Sequence, residues 1–298
     1  MERRFLKIII FTSLLITSCQ QIPINESNKK FVGDNIDKQN LEIDLKKQEK
    51  IISYHSDIWS YILTNSSYTS DGLDEQTLMY MNRHLQDLDK FKEFLNDSYY
   101  FMFFVIEELE NAKLPIELAF LPYIESNYDP FSISSSGAVG MWQFMPRTGR
   151  TYDLERSWWN EDRHDPFKST SAAIKYLKYL YERFDQDLYL TLAAYNAGPS
   201  FLDRQIKRNQ RRGLNTDYWS LDLPIQTRNY VPKFIAIKEL IINSDQYDIE
   251  LPFIPYEPVV AKIEIPGQVE ILTLSEYLNI KPELLYKLNA GYTKWASA

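Results

Sequence analysis

Mainly α is the fold class the sequence predicts, and three observations carry it. Apolar residues return every three or four positions in one segment after another, which places them on one side of a helix. Residues that start and stop helices bracket those segments. Glycine is scarce, nine residues in 298, so long stretches lack the positions that tight turns use. One alternating run, residues 259–265, adds a predicted strand near the C-terminus.

Taken in order, the elements have these grounds. Ile51, Ile58 and Ile62 share a helical face. Leu78, Met81, Leu85, Leu88, Phe91 and Leu95 form an apolar stripe that predicts one helix over 78–95. Residues 99–112 are apolar nearly all round, which predicts a helix deep in the core. Pro115 opens a short helix, because its fixed φ and missing N–H suit a first turn, and Glu117 complements the positive end of that helix. Pro122 disturbs it just ahead of Glu125, which sets that residue near a helix end. Ser134-Ser135-Ser136-Gly137 is a loop leading to a short helix expected around Met141. Ser169 is the expected cap of a helix with Ala173, Leu177, Leu180 and Phe184 on one face. Residues 188–196 form a helix stopped by Gly198 and Pro199. Lys207, Arg208, Arg211 and Arg212 read as a solvated face. Tyr230, Phe234, Ile237 and Ile241 keep register over a helix expected from about 227 to 242. Pro252, Pro255 and Pro258 predict a linker, followed by the strand and a helical stretch over 272–288.

Composition excludes several classes. Apolar residues make up 44% and aromatic residues 14%, ample for a packed core and incompatible with a wholly disordered chain. The length allows two domains. Formal net charge is −8, which makes nucleic acid a poor partner, since phosphate binding needs a basic face. A largely neutral polysaccharide, held by stacking and hydrogen bonds, remains compatible, and 21 tyrosines, 16 phenylalanines and 6 tryptophans supply flat faces. The three histidines, His55, His84 and His164, are scattered without ligand spacing, so neither a metal nor a cofactor is expected.

The candidate chemistry centres on Glu125. Phe120, Leu121, Tyr123 and Ile124 beside it predict poor hydration, which disfavours the charged carboxylate and holds the proton on at neutral pH. A protonated carboxylic acid is what a glycosidic oxygen needs in order to leave. Enzymes of that type commonly use a second carboxylate, for which Asp129, Asp153, Asp162 and Asp165 are the candidates, but Asp129 beside Pro130 reads as a turn and Asp165 beside Pro166 as a helix lead-in, and neither convinces as a nucleophile. Gln143 and Asn196 each offer a donor and an acceptor, suited either to sugar N-acetyl and hydroxyl groups or to bracing a loop. Ser126 suits a loop contact or a sugar hydroxyl, and Trp142 either the core or a sugar platform.

Five blocks stand in a definite order: residues 115–126, residues 137–152, His164-Asp165-Pro166 with its following helix, Ala193-Ala194-Tyr195-Asn196-Ala197-Gly198, and Thr227-Arg228-Asn229-Tyr230-Val231-Pro232. In that order they resemble the lytic transglycosylases of bacterial cell walls, most of all the membrane-bound type D enzymes, over roughly residues 90–250. The resemblance implies a lysozyme-like, goose-type helical domain that cleaves peptidoglycan between N-acetylmuramic acid and N-acetylglucosamine. It implies Glu125 as the one catalytic residue, giving a proton to the glycosidic oxygen and taking one from the sugar's own C6 hydroxyl, so that a 1,6-anhydro ring closes. Attack from within the substrate has a high effective concentration and needs no activated water. The resemblance also implies that Gln143, the main chain near Met145 and Asn196 line the cleft, that Tyr195 borders the sugar site, and that Tyr230 hydrogen-bonds the acid.

The ends of the chain complete the organisation. Arg3, Arg4 and Lys7 precede an apolar stretch too short to span a bilayer, so residues 1–18 read as a signal peptide. Residues 15–19 resemble a bacterial lipoprotein cleavage box, and Cys19, the sole cysteine, is the expected lipidation site. Cleavage there removes three basic residues and one acidic, taking the net charge to −10. Residues 19–50 are a polar tether, 51–250 the catalytic domain with a helical extension (core about 105–245), and 258–298 a small α+β piece. Leu288-Asn289-Ala290-Gly291 there resembles the carbohydrate-binding LysM-like unit, cut short. The expectation is a monomer in the cell envelope, lipid-anchored to the outer membrane and facing glycan strands in the periplasm.

Overall fold

The computed structural model describes residues 5–9, 57–66, 73–265 and 267–297. Cys19, Ile51 and the tether over 19–50 lie outside the described residues, as does most of the predicted signal peptide. The body is helical, with α1 (Ile58–Asn65), α2 (Glu75–Leu85), α3 (Leu88–Asn96) and α4 (Met102–Ala112) preceding the site. A 3-10 turn (Ile116–Phe120) runs into α5 (Leu121–Glu125). Then come α6 (Pro146–Thr151), α7 (Pro166–Arg183), α8 (Leu188–Ala197), α9 (Pro199–Arg211), α10 (Ile225–Arg228) and α11 (Tyr230–Ile242). No helix among the described residues is long and apolar enough to cross a membrane.

The centre of this body is α11. Nearly every residue from Tyr230 to Ile241 is buried, the fate of a helix that is apolar all round. It packs against α1, α2, α5 and α8, so the acid-bearing α5 leans on the best-buried helix of the chain. Tyr230 breaks away from α10 at Asn229, so the single helix expected from about residue 227 is two, offset by one residue.

Other expectations also needed correction. The stripe over 78–95 is two helices, because the Asp87 carboxylate accepts from the Lys90 amide and starts α3 afresh. Leu78 and Leu88, two members of that stripe, are left exposed. Asp165, rather than Ser169, caps α7: its carboxylate accepts from the Phe167 and Lys168 amides, worth about 1 kcal/mol. Ser169 sits a turn inside, its hydroxyl bonded back to the Asp165 carbonyl at 2.6 Å. Met141 lies in no helix; Val139 and Phe144 close a bridge around it, and the helix starts at Pro146.

The proline-rich stretch after residue 250 is packed rather than free. Ile254 is fully buried and its carbonyl accepts from the Ile58 amide at 2.8 Å, while Tyr256 stacks on Tyr61 at 4.1 Å. The predicted strand is β2 (Val260–Glu264), paired antiparallel with β1 (Phe5–Ile9), Phe5 opposite Glu264 and Ile9 opposite Val260. The helical stretch beyond is again two helices, α12 (Ile271–Leu278) and α13 (Pro282–Leu288), separated where Asn279 turns left-handed. This C-terminal segment docks on the loop before α7. The Glu161 amide donates to the Gly291 carbonyl at 2.8 Å and the Thr293 amide to the Trp159 carbonyl at 2.9 Å.

Candidate active site

Glu125 is the last residue of α5, a helix of one turn. The chain leaves it through Ser126 and two consecutive left-handed residues, Asn127 (φ 59) and Tyr128 (φ 57). Such a conformation costs roughly 1–3 kcal/mol per non-glycine residue and persists only where packing over-determines it. Here Tyr128 supplies the packing: its ring is fully buried and its hydroxyl donates to the Ala119 carbonyl at 2.6 Å.

Three of the apolar sequence neighbours are engaged away from that carboxyl. Phe120 and Leu121 point into the core, and Tyr123 is spent on the Leu95 carbonyl and the Ser98 hydroxyl. A helix turns about 100° per residue, so adjacent residues do not share a face. The groups acting on Glu125 come from afar in sequence: Tyr230 and Lys233 on α11, one turn apart, and Tyr195 on α8. The Tyr230 hydroxyl donates directly to Glu125 Oε1.

An edge of the Glu125 side chain reaches solvent, but the carboxyl itself sits among protein groups. That burial pushes its pKa up from 4.5 to about 7, against the Tyr230 hydrogen bond and the Lys233 charge, which both favour the anion. Burial and the nearby carboxyl hold the Tyr230 and Tyr195 phenols well above their usual range, so both stay neutral donors. The result is a half-buried acid that carries its proton up to neutral pH.

The loop over residues 137–145 is tied to residues beside the acid. The Ser126 hydroxyl donates to the Met141 carbonyl at 2.8 Å, and the Tyr195 hydroxyl to the Trp142 carbonyl at 2.8 Å. Residues flanking the acid and on α8 thus hold the loop by its main chain. Trp142 itself is fully buried, its indole N–H on the Thr170 hydroxyl at 2.9 Å, so it is core and no sugar platform. Gln143 is left-handed (φ 48), and its amide nitrogen donates to the Gly140 carbonyl at 2.9 Å. That nitrogen also reaches the Ser132 carbonyl at 3.4 Å, so what Gln143 has left to offer a ligand is its carbonyl oxygen. Met145 is 43% exposed at the start of α6. Asn196 accepts from the Thr227 hydroxyl at 2.9 Å, which braces α8 against α10. Lys233 escaped sequence reading, although its place one turn after Tyr230 was a usable signal.

Comparison with known proteins fits this geometry. Residues 103–217 match the family model described as the transglycosylase SLT domain. That stretch is similar to a transglycosylase SLT domain. Glu125, Ser126, Gln143, Met145, Tyr195 and Asn196 fall inside it, while Tyr230 and Lys233 approach from α11 beyond its matched end. The membrane-bound lytic murein transglycosylase D of Escherichia coli K12 is 33% identical over 247 residues, covering 80% of this chain and 53% of that protein. The membrane-bound lytic murein transglycosylase F of Alcanivorax borkumensis is 33% identical over 108 residues, or 34% of this chain and 22% of that one. The chain thus spans about half the length of the type D relatives it matches. The solved 70 kDa soluble lytic transglycosylase of Escherichia coli aligns over 61% of this chain and 32% of its own, at 19% identity and TM-score 0.40.

Proposed function

We propose that this chain is a lytic transglycosylase of the cell envelope, cleaving the β-1,4 bond between N-acetylmuramic acid and N-acetylglucosamine in peptidoglycan without water. The observation that carries the reading is a lone, half-buried, protonated carboxyl at the SLT-domain site. Lys233 is the charged group that bears on Glu125, and no carboxylate among the described residues contributes to its shift. The four aspartates weighed as a second carboxylate are occupied or turned away. Asp129 closes a turn on the Phe131 amide, and Asp165 caps α7. Asp162 pairs with Lys168 at 2.8 Å, and Asp153 is exposed in a left-handed turn.

A single acid suffices if the substrate supplies its own nucleophile. Glu125 gives its proton to the bridging oxygen as the C1–O4 bond breaks, and the electron pair leaves with the N-acetylglucosamine oxygen. The muramic acid C6 hydroxyl then attacks C1, and its proton passes to the Glu125 carboxylate, which restores the acid. The Tyr230 hydroxyl steadies the anion between the two transfers. In this reading the Gln143 carbonyl and the main chain near Met145 seat the sugar, with Ser126 and Tyr195 holding that loop. Export and a lipid on Cys19 belong to the same reading, supported by the first nineteen residues of the sequence and by relatives named membrane-bound; monomeric action at the outer membrane is proposed with them.

Product analysis tests it. The described protein incubated with purified sacculi should release muropeptides ending in anhydromuramic acid, each one water lighter than the reducing-end product. Reducing ends would establish a hydrolytic muramidase, and binding with no soluble product a silent peptidoglycan-binding protein.

A further inference from the structure

We propose that Arg163 is the positioning residue that sets the loop over residues 137–145 at the site, and that Glu161 orients it. The inference rests on the reading of the cleft given above. Arg163 lies in the loop before α7 and its side chain is only 9% exposed. Its Nε donates to Glu161 Oε1 at 2.9 Å and its Nη2 to Glu161 Oε2 at 2.8 Å, a two-pronged pair. The remaining prong, Nη1, reaches the Phe144 carbonyl at 3.1 Å and the Gly137 carbonyl at 3.3 Å. Those two carbonyls sit at the two ends of the loop that carries Gln143 and leads to Met145.

The contact extends beyond the fork. Gly140 packs so closely on the Arg163 carbonyl that a Cβ there would stand 1.9 Å from it, and Gly149 on α6 packs on the Arg163 side-chain carbons. The loop is therefore held in its middle by Ser126 and Tyr195, from the acid's side, and at both ends by Arg163 from behind. Two carbonyls and a carboxylate need a planar fork of donors. Lysine, with one compact ammonium, cannot span them.

Glu161 serves a second purpose. Its carboxylate is held below the usual range: burial alone would raise it, but the Arg163 hydrogen bonds and charge, with Arg156 beyond, outweigh that. Its main-chain N–H meanwhile donates to the Gly291 carbonyl of the C-terminal segment. The docking of that segment and the placing of the loop thus meet in one residue.

The test uses chitotetraose as probe and calorimetric titration as readout, in a Glu125→Gln background so that nothing is cleaved. Arg163→Met is expected to weaken binding about tenfold or more, since a displacement of even 1 Å at a positioning contact is costly. Arg163→Lys should recover part of the loss, and Glu161→Gln, which keeps the arginine and one acceptor, should fall between. With Glu125 restored, the Arg163 variants should show a raised KM on soluble glycan strands and a pH midpoint unchanged from wild type. A merely structural role would lower the folded fraction and kcat while leaving KM and affinity alone. Affinity equal to the parent in Arg163→Met, or in Glu161→Gln where the methionine variant fails to fold, overturns the inference and leaves the function standing. A parent that binds no chitotetraose brings down the reading of the cleft and this inference with it.

Discussion

Replacing Glu125 by glutamine is expected to cut the release of soluble muropeptides by on the order of 10³-fold or more, with the fold intact. General acid catalysis alone is worth about 10²–10⁴-fold, and this carboxyl serves both as acid and, once ionised, as base. Glutamine keeps the shape and can still accept from Tyr230, but it has no proton to give. In wild type, activity should fall as pH rises through about 7, because burial holds the carboxyl protonated up to that point.

The same shift makes a stability prediction for the same variant. Between pH 4.5 and about 7 the folded chain keeps a proton on Glu125 that the unfolded chain has lost, so stability declines as pH rises through that window. The contribution is fully present below 4.5, and its loss levels off at roughly 3 kcal/mol above 7. Glutamine does not titrate. Glu125→Gln should therefore melt higher than wild type at pH 8, with the gap closing toward pH 4.5. A gap independent of pH would count against burial as the cause.

Gly140→Ala is expected to destabilise the fold by about 3 kcal/mol or more. Gly140 has φ +81, where a Cβ costs about 1–2 kcal/mol, and that Cβ would lie 1.9 Å from a main-chain oxygen of Arg163. Backbone cannot swing aside as a side-chain tip does, so overpacking adds a further 1–3 kcal/mol or so. Gly213→Ala is the matched comparison. It has φ +68 and nothing within 4 Å of its Cβ, so only the conformational cost of about 1 kcal/mol applies. Urea denaturation of the two variants separates the terms; equal midpoints would mean that the loop does not press on Arg163.

What was legible in the sequence was local. Gly198 and Pro199 stop α8 where expected, and the alternation over 259–265 is a strand, because both signals act through the few residues that carry them. Glu125 announced itself through its motif, yet the groups that bear on its carboxyl, Tyr230 and Lys233, lie more than a hundred residues away, where no local pattern points to them. Arg163 gave no sign at all, since its fork closes on carbonyls of residues 137 and 144, and main-chain acceptors carry no sequence signature. The proline-rich linker misled for a related reason: Ile254 and Tyr256 find partners on α1 that no local pattern predicts. Periodicity also ran straight through the breaks at Asp87, Asn229 and Asn279, because apolar spacing registers neither the side-chain cap at Asp87 nor the left-handed turn at Asn279.

The central claim is that one buried carboxyl keeps its proton to neutral pH. It is tested most directly by titrating Glu125 itself, as the infrared carboxyl band present in wild type and absent from Glu125→Gln. A midpoint near 7 is the predicted result. A midpoint at the ordinary value of 4.5 would mean a solvated carboxylate, unable to serve as the acid at neutral pH, and would contradict it.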